Sequence, residues 1–238
     1  MEVFEVILAL IAVTAAFVVS ASAGLGGSLV LVPALALVLG TKEGAALAAL
    51  LLAGNNVVKL VAYRVTIPWR AAAWLVVATV IGAAVGARLL VSAPEDMVTV
   101  AVIAGFAAAL AFERLQLPWL RRRAAPVLAL GSGLTSGFSG TSGPLKGIAI
   151  RSLPLDRLHI VGAASVVSFA GDAIKTAIYT DAELLGGDAY TLAAVAVPLM
   201  VAATWFGRSL NHRIGERGYT MLFWSVMAGY TWRLLAGI

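Results

Sequence analysis

The chain has 238 residues, of which 61% are hydrophobic and 12% charged, with a formal net charge of +5 and no cysteine. Soluble domains carry about 25% charged residues, and a mean hydropathy of +0.96 exceeds what a soluble fold of this size can hide. Disordered, collagen-like and disulfide-scaffold readings are excluded, thiol chemistry is absent, and what is left is an all-α integral membrane protein in a lipid bilayer. The pI of 9.9 then reads as lysine and arginine held in cytoplasmic loops, and no nucleic-acid partner is expected. His159 and His212 are the only histidines, so neither a metal site nor a cofactor is expected.

In chain order, apolar blocks cover 3–40, 44–63, 70–91, 97–112, 117–150, 159–180, 189–210 and 219–235. The start, Met1-Glu2-Val3-Phe4-Glu5, lacks the basic region of a signal peptide, so the first block is read as mature structure. The first and fifth blocks are too long for one crossing. A straight helix over 3–40 would be about 57 Å long, against about 30 Å of hydrocarbon. Each holds a glycine cluster past its middle: Gly24-Leu25-Gly26-Gly27-Ser28 in one, and Ser136-Gly137-Phe138-Ser139-Gly140-Thr141-Ser142-Gly143-Pro144 in the other. Glycine costs about 1 kcal/mol in a helix interior and proline about 3 kcal/mol. Two re-entrant hairpins with tips inside the membrane are the simplest reading; two complete short spans have the same parity.

Basic residues test that reading. With both hairpins returning to the side they entered and six single crossings, one side holds 11 arginines of the links and span ends, and the other holds Lys42, Arg88 and Arg233. Eight single crossings split the same residues evenly. The positive-inside rule favours the uneven distribution. Both termini are then expected outside.

The halves resemble each other at a fixed offset. Gly24 matches Gly140, Gly27 matches Gly143, and Ser20 matches Ser136. Asn56, Lys59 and Tyr63 match Asp172, Lys175 and Tyr179. Each unit is a hairpin followed by three spans, over 1–114 and 115–238. Three crossings are odd, so the second unit is inverted. Inverted repeats with broken helices characterise secondary transporters, whose sites lie near the midplane. Ala23-Gly24-Leu25-Gly26-Gly27-Ser28 with Pro33, Ser136-Gly137-Phe138-Ser139-Gly140 with Pro144, and the Gly82/Gly86 span resemble the sulfite exporter TauE/SafE family over essentially the whole chain. The resemblance implies a carrier of small sulfur-containing anions, such as sulfite or an organosulfonate. It also implies a multi-pass protein of the prokaryotic cytoplasmic membrane, working mostly outward.

A broken helix leaves free N–H groups at a helix N-terminus, which favours an anion. Gly24, Gly26, Gly27 and Ser28 at the first tip, and Ser136, Gly137, Ser139, Gly140, Thr141, Ser142 and Gly143 at the second, are candidate substrate contacts. Gly82 and Gly86, spaced GxxxG, are expected to pack helices. Asn55, Asn56 and Lys59 in one span and Lys175 in another are further candidate contacts. Asp172, the one carboxylate well inside an apolar block, is a candidate proton site. Two alternatives compete: the lysines snorkel to an interface, and Asp172 merely pairs with Lys175 at i,i+3. Tyr63 and Tyr179 are expected in the interfacial aromatic belt. Lys146 is left unassigned between attracting an anion and reaching the cytoplasmic surface.

The expected function is a secondary transporter or facilitator exporting a small sulfur-containing anion by alternating access, and not an enzyme. A proton-coupled uptake permease is the alternative. An intramembrane serine hydrolase is weighed because Gly137-Phe138-Ser139-Gly140 fits a short protease pattern, but neither histidine matches a midplane tip. A scaffold without transport is the remaining reading.

Overall fold

A computed structural model of the chain describes residues 10–11, 13–14, 16–17, 27–114, 125–141 and 143–210. The span expected over 219–235, and the candidates Gly24, Gly26 and Ser142, lie outside the described residues. Residues 10, 11, 13, 14, 16 and 17 are helical, and Val13 and Phe17 among them are buried. Eight further helices follow among the described residues: α1 (Gly27–Leu39), α2 (Thr41–Tyr63), α3 (Trp69–Ser92), α4 (Glu95–Arg114), α5 (Ala125–Ser139), α6 (Gly143–Arg151), α7 (Arg157–Asp181) and α8 (Gly187–Leu210). The described residues contain no strand.

The helices overrun the apolar blocks by up to three residues at their ends. Block edges were set at charged residues, but the backbone continues through them because those residues have partners. Lys42 donates to the Val91 carbonyl at 3.0 Å. The Thr41 N–H donates to Glu95 Oε1 at 3.0 Å, and the Thr41 and Thr99 hydroxyls lie 2.7 Å apart. Glu43 in the first turn of α2 complements the helix dipole. These contacts gather the start of α2, the end of α3 and the start of α4 at one end of the fold. At the other end, a Cβ on Gly162 in α7 would lie 2.3 Å from the Thr66 carbonyl oxygen, so α7 begins where α2 finishes.

Two helices, over Thr41–Thr66 and Trp69–Ser92, are long and apolar enough to cross a membrane by length and composition. The exposed residues Val77, Ile81, Val85 and Leu89 form an i,i+4 stripe on α3, the surface expected to meet lipid. The fifth apolar block does break. Helix α5 ends at Ser139, Gly140 takes φ 74°, and α6 restarts at Gly143. Helix α6 has 9 residues, about 13.5 Å of rise, and packs on α5. Helix α6 alone does not reach across about 30 Å of hydrocarbon.

Glycine sets the closest approach in the fold. Helices α3 and α5 run parallel, with Gly82 and Gly86 facing Gly133 and Gly137. A Cβ on Gly82 would fall 2.1 Å from the Leu130 carbonyl oxygen, and one on Gly86 would fall 2.2 Å from that of Leu134. A Cβ on Gly133 would fall 2.2 Å from the Thr79 oxygen, and one on Gly137 would fall 2.4 Å from the Ala83 oxygen. The packing expected of Gly82 and Gly86 is therefore found, with a reciprocal glycine pair on the partner helix.

The core falls into two apolar clusters. One contains Leu31, Leu35, Leu47, Leu51, Leu90 and Tyr179; the other contains Ile67, Leu75, Leu128, Ile150, Ala163 and Val167. Along α2 the first cluster ends at Leu52 and the second is met again at Leu60. Along α7 the second ends at Val167 and the first resumes at Ile178. Between them, on both helices, lies a layer of buried polar side chains.

Candidate functional site

The centre of that layer joins α2, α5 and α7. Asn56 Nδ2 donates to Asp172 Oδ2 at 2.8 Å, and the two positions are 116 residues apart, the same separation that relates the halves of the sequence. Lys175 Nζ lies 2.8 Å from Asp172 Oδ1 and donates to Ser136 Oγ at 2.9 Å. Helical spacing of i,i+3 puts Asp172 and Lys175 on one face of α7, as it does Asn56 and Lys59 on α2. Both carboxylate oxygens of Asp172 thus accept from polar partners. A buried ion pair is tolerated in a low-dielectric interior when its remaining valences are met in this way.

Lys175 is 1% exposed, which removes the snorkelling reading for this residue: its ammonium is committed to Asp172 and Ser136. The pairing of Asp172 with Lys175 is present, with Asn56 as a third member. Tyr179 is also corrected. It is 0% exposed, and its hydroxyl donates to the Gly137 carbonyl instead of sitting in an aromatic belt. Its position near a helix end suggested an interface, but its face of α7 is turned inward onto α5. Gly137 accordingly has two structural roles, the backbone approach to α3 and the tyrosine contact.

Two more lysines complete the electrostatics. Lys59 on α2 and Lys146 on α6 are half-buried. Both lie within electrostatic range of Asp172 and of each other, and Lys146 also faces the charge of Lys175. Among the described residues, Lys59, Lys146, Lys175 and Asp172 are thus the charges that act on one another here. Lys146 is the member that the sequence pattern did not assign, because it stands outside the repeated Asn/Asp-x-x-Lys pattern.

At the break between α5 and α6 the polar side chains are buried. Ser139 Oγ donates to the Thr135 carbonyl at 2.8 Å and lies 3.1 Å from Thr141 Oγ1. These are its partners, while His159 sits at the start of α7 against Asp156 at 2.8 Å. Among the described residues Ser139 therefore has no histidine as a hydrogen-bond partner. Gly140 meets α1: its Cβ would lie 2.8 Å from Val32 Cγ1. Gly27 and Ser28 form the first turn of α1, with Gly27 buried, and Asn55 is 1% exposed beside Asn56. Gly143 opens α6. Two further buried hydroxyls, Thr79 Oγ1 and Ser132 Oγ, lack a hydrogen-bond partner among the described residues; Ser132 lies one turn from Ser136 on α5. Among the described residues no cluster of histidine, aspartate and glutamate is suited to a metal ion.

No match was found among curated proteins or among solved structures. The profile of the family described as "Sulfite exporter TauE/SafE" matches residues 8–234, nearly the whole chain. On the extent of that match, this chain, helical throughout its described residues, belongs to the sulfite exporter TauE/SafE family.

Proposed function

We propose that the protein is a secondary transporter or facilitator that exports a small sulfur-containing anion, sulfite or an organosulfonate, across the cytoplasmic membrane of a prokaryote. The carrying observation is the hydrogen bond between Asn56 and Asp172, positions 116 residues apart, set within a cluster of three lysines. Equivalent residues of two inverted halves touch each other only where the pseudo-two-fold axis passes between them. That contact supports two repeats, 1–114 and 115–238, each a re-entrant hairpin followed by three spans, with the anion bound on the axis near the midplane. The short helix α6, and the contact of Gly140 with Val32, support hairpins whose tips approach one another.

In this reading Lys59, Lys146 and Lys175 attract the anion, Asn55 and Asn56 offer amide donors, and the second break adds Ser139 and Thr141. Ser136 positions Lys175. One repeat rocking against the other exposes the site alternately to each side. Expelling one negative charge gains about 2.3 kcal/mol per 100 mV of inside-negative potential, so export proceeds without a coupling ion. Proton-coupled uptake is the second reading, favoured by the single carboxylate bonded directly to a lysine of the cluster: its protonation would release Lys175. Flux of sulfite, sulfoacetate, taurine and thiosulfate in proteoliposomes, with and without an imposed potential, tests the proposal. Potential-driven movement of at least one anion is expected. No flux of any of them, with the protein correctly inserted, would return it to the scaffold reading.

A further inference from the structure

We propose that the pocket between the ends of α3 and α7 binds the headgroup of a zwitterionic phospholipid with a primary ammonium, the chemistry of phosphatidylethanolamine. The pocket has a volume of about 320 Å³ and is lined by Arg88 and Val91 of α3 and by Ala177, Ile178, Asp181 and Ala182 at the end of α7. A guanidinium and a carboxylate thus line one cavity. Both residues are exposed, and neither side chain forms a hydrogen bond or ion pair with a described residue. The Lys42 ammonium is bonded to the Val91 carbonyl and is not part of the lining.

Two unpaired charges of opposite sign in one pocket match a ligand that carries both. Asp181 is the last residue of α7. The free carbonyls of a helix C-terminus favour a cation and disfavour a carboxylate, so an ammonium bound there offsets both. Arg88 offers a phosphate the planar fork of its guanidinium. The surroundings point to a lipid as the source of this head chemistry. The 24 residues of α3 rise about 36 Å, against about 30 Å of hydrocarbon. Arg88, one turn before the end of α3, is therefore within reach of the headgroup layer. Ile81, Val85 and Arg88 share one face of α3 by their spacing, and Ile81 and Val85 are exposed. An acyl chain lying along that apolar stripe brings its phosphate to Arg88. A headgroup without an amine, such as that of phosphatidylglycerol, meets Arg88 but leaves Asp181 unanswered. The quaternary ammonium of phosphatidylcholine has no N–H to donate to the carboxylate.

Native mass spectrometry of the purified full-length protein, titrated with these three lipids on identical acyl chains, reads the preference. Phosphatidylethanolamine is expected to bind about fivefold more tightly than either of the others, the upper range for one exposed ion pair. Asp181→Asn should bring that ratio close to one while leaving thermal stability unchanged or raised, since it removes a carboxylate from a helix C-terminus. Arg88→Gln should weaken all three lipids, because all share the phosphate. Equal binding of the three by the wild type overturns the proposal. So does an Asp181→Asn protein that folds and keeps the wild-type preference. Glycerophosphoethanolamine, the same head without acyl chains, should not compete at matched concentration, and effective competition by it would overturn the assignment to a lipid. None of these readouts depends on transport.

Discussion

Lys175 is a structural group, and under the proposed transport function it is a binding group as well. Replacing it with methionine leaves Asp172 charged, buried and held by Asn56 alone. Loss of one partner from a buried ion pair costs about 3–5 kcal/mol of stability. Loss of a hydrogen bond to a charged ligand costs about 1.5–3 kcal/mol of affinity. Lys175→Met should show both losses. Adding Asp172→Asn to it removes the stranded charge and should restore much of the stability but not the affinity. Thermal unfolding and anion binding on the same purified variants separate the two, and recovery of affinity in the double variant would take Lys175 out of the site. Asp172→Asn by itself should preserve or raise anion affinity in an uncoupled exporter, since it removes a repelling charge. In a proton-coupled permease it should instead flatten the pH dependence of flux. The Asn/Asp-x-x-Lys pattern was legible in the sequence because i,i+3 spacing fixes a shared face. The partners of each group were not: which neighbour meets Lys175 depends on the register between α5 and α7, which no local pattern encodes. Lys146 was left unassigned because it stands outside that repeated pattern.

Among the helices, the contact of α3 with α5 makes the sharpest prediction. Gly86 offers no room for a methyl group, since its Cβ would sit 2.2 Å from a backbone oxygen that cannot rotate away. Gly86→Ala should therefore cost about 1–3 kcal/mol, as overpacking typically does. Gly131→Ala is the control. Its nearest neighbour would be Leu145 Cδ1 at 3.9 Å, so the gain in helix propensity, up to about 1 kcal/mol, should leave the protein equally or more stable. Unfolding of both variants in the same detergent decides the matter; a Gly86→Ala protein as stable as wild type would mean that the helices are not held this closely. The sequence indicated which segments are helical, since apolar runs and glycine clusters are local features. The GxxxG spacing of Gly82 and Gly86 also pointed to packing. What it concealed was the division of labour within the second cluster, where Gly137 serves the contact with α3 while Gly140 takes the left-handed turn and meets Val32.

Across the whole molecule, the alternation of ends constrains the topology. The start of α2, the end of α3 and the start of α4 share one end through Thr41, Lys42 and Glu95, and the end of α7 shares a surface pocket with Arg88 and Val91 of α3. We propose, from the positive-inside bias, that this end faces outward. The chain has no cysteine, so single cysteines can be placed without background. Cysteines at Ser92 and Gly187 should react with an impermeant maleimide in intact cells, and one at Gln116 only after lysis. Labelling of Gln116 in intact cells would invert the assignment.

Under the proposed arrangement of two inverted halves, the contact of Asn56 with Asp172 bears on how such a chain can evolve. A dimer of identical halves, inserted in opposite senses, sets the residue on its axis against its own copy. Two asparagines can pair there, whereas two aspartates repel, and every charge added to the centre arrives twice. A gene carrying both halves escapes that rule. It can place an amide opposite a carboxylate and keep a lysine at position 146 with valine at its counterpart, position 30. Fusion thereby lets the charge at the centre change in single steps, and duplicated relatives can diverge toward different anions by substitutions in one half alone.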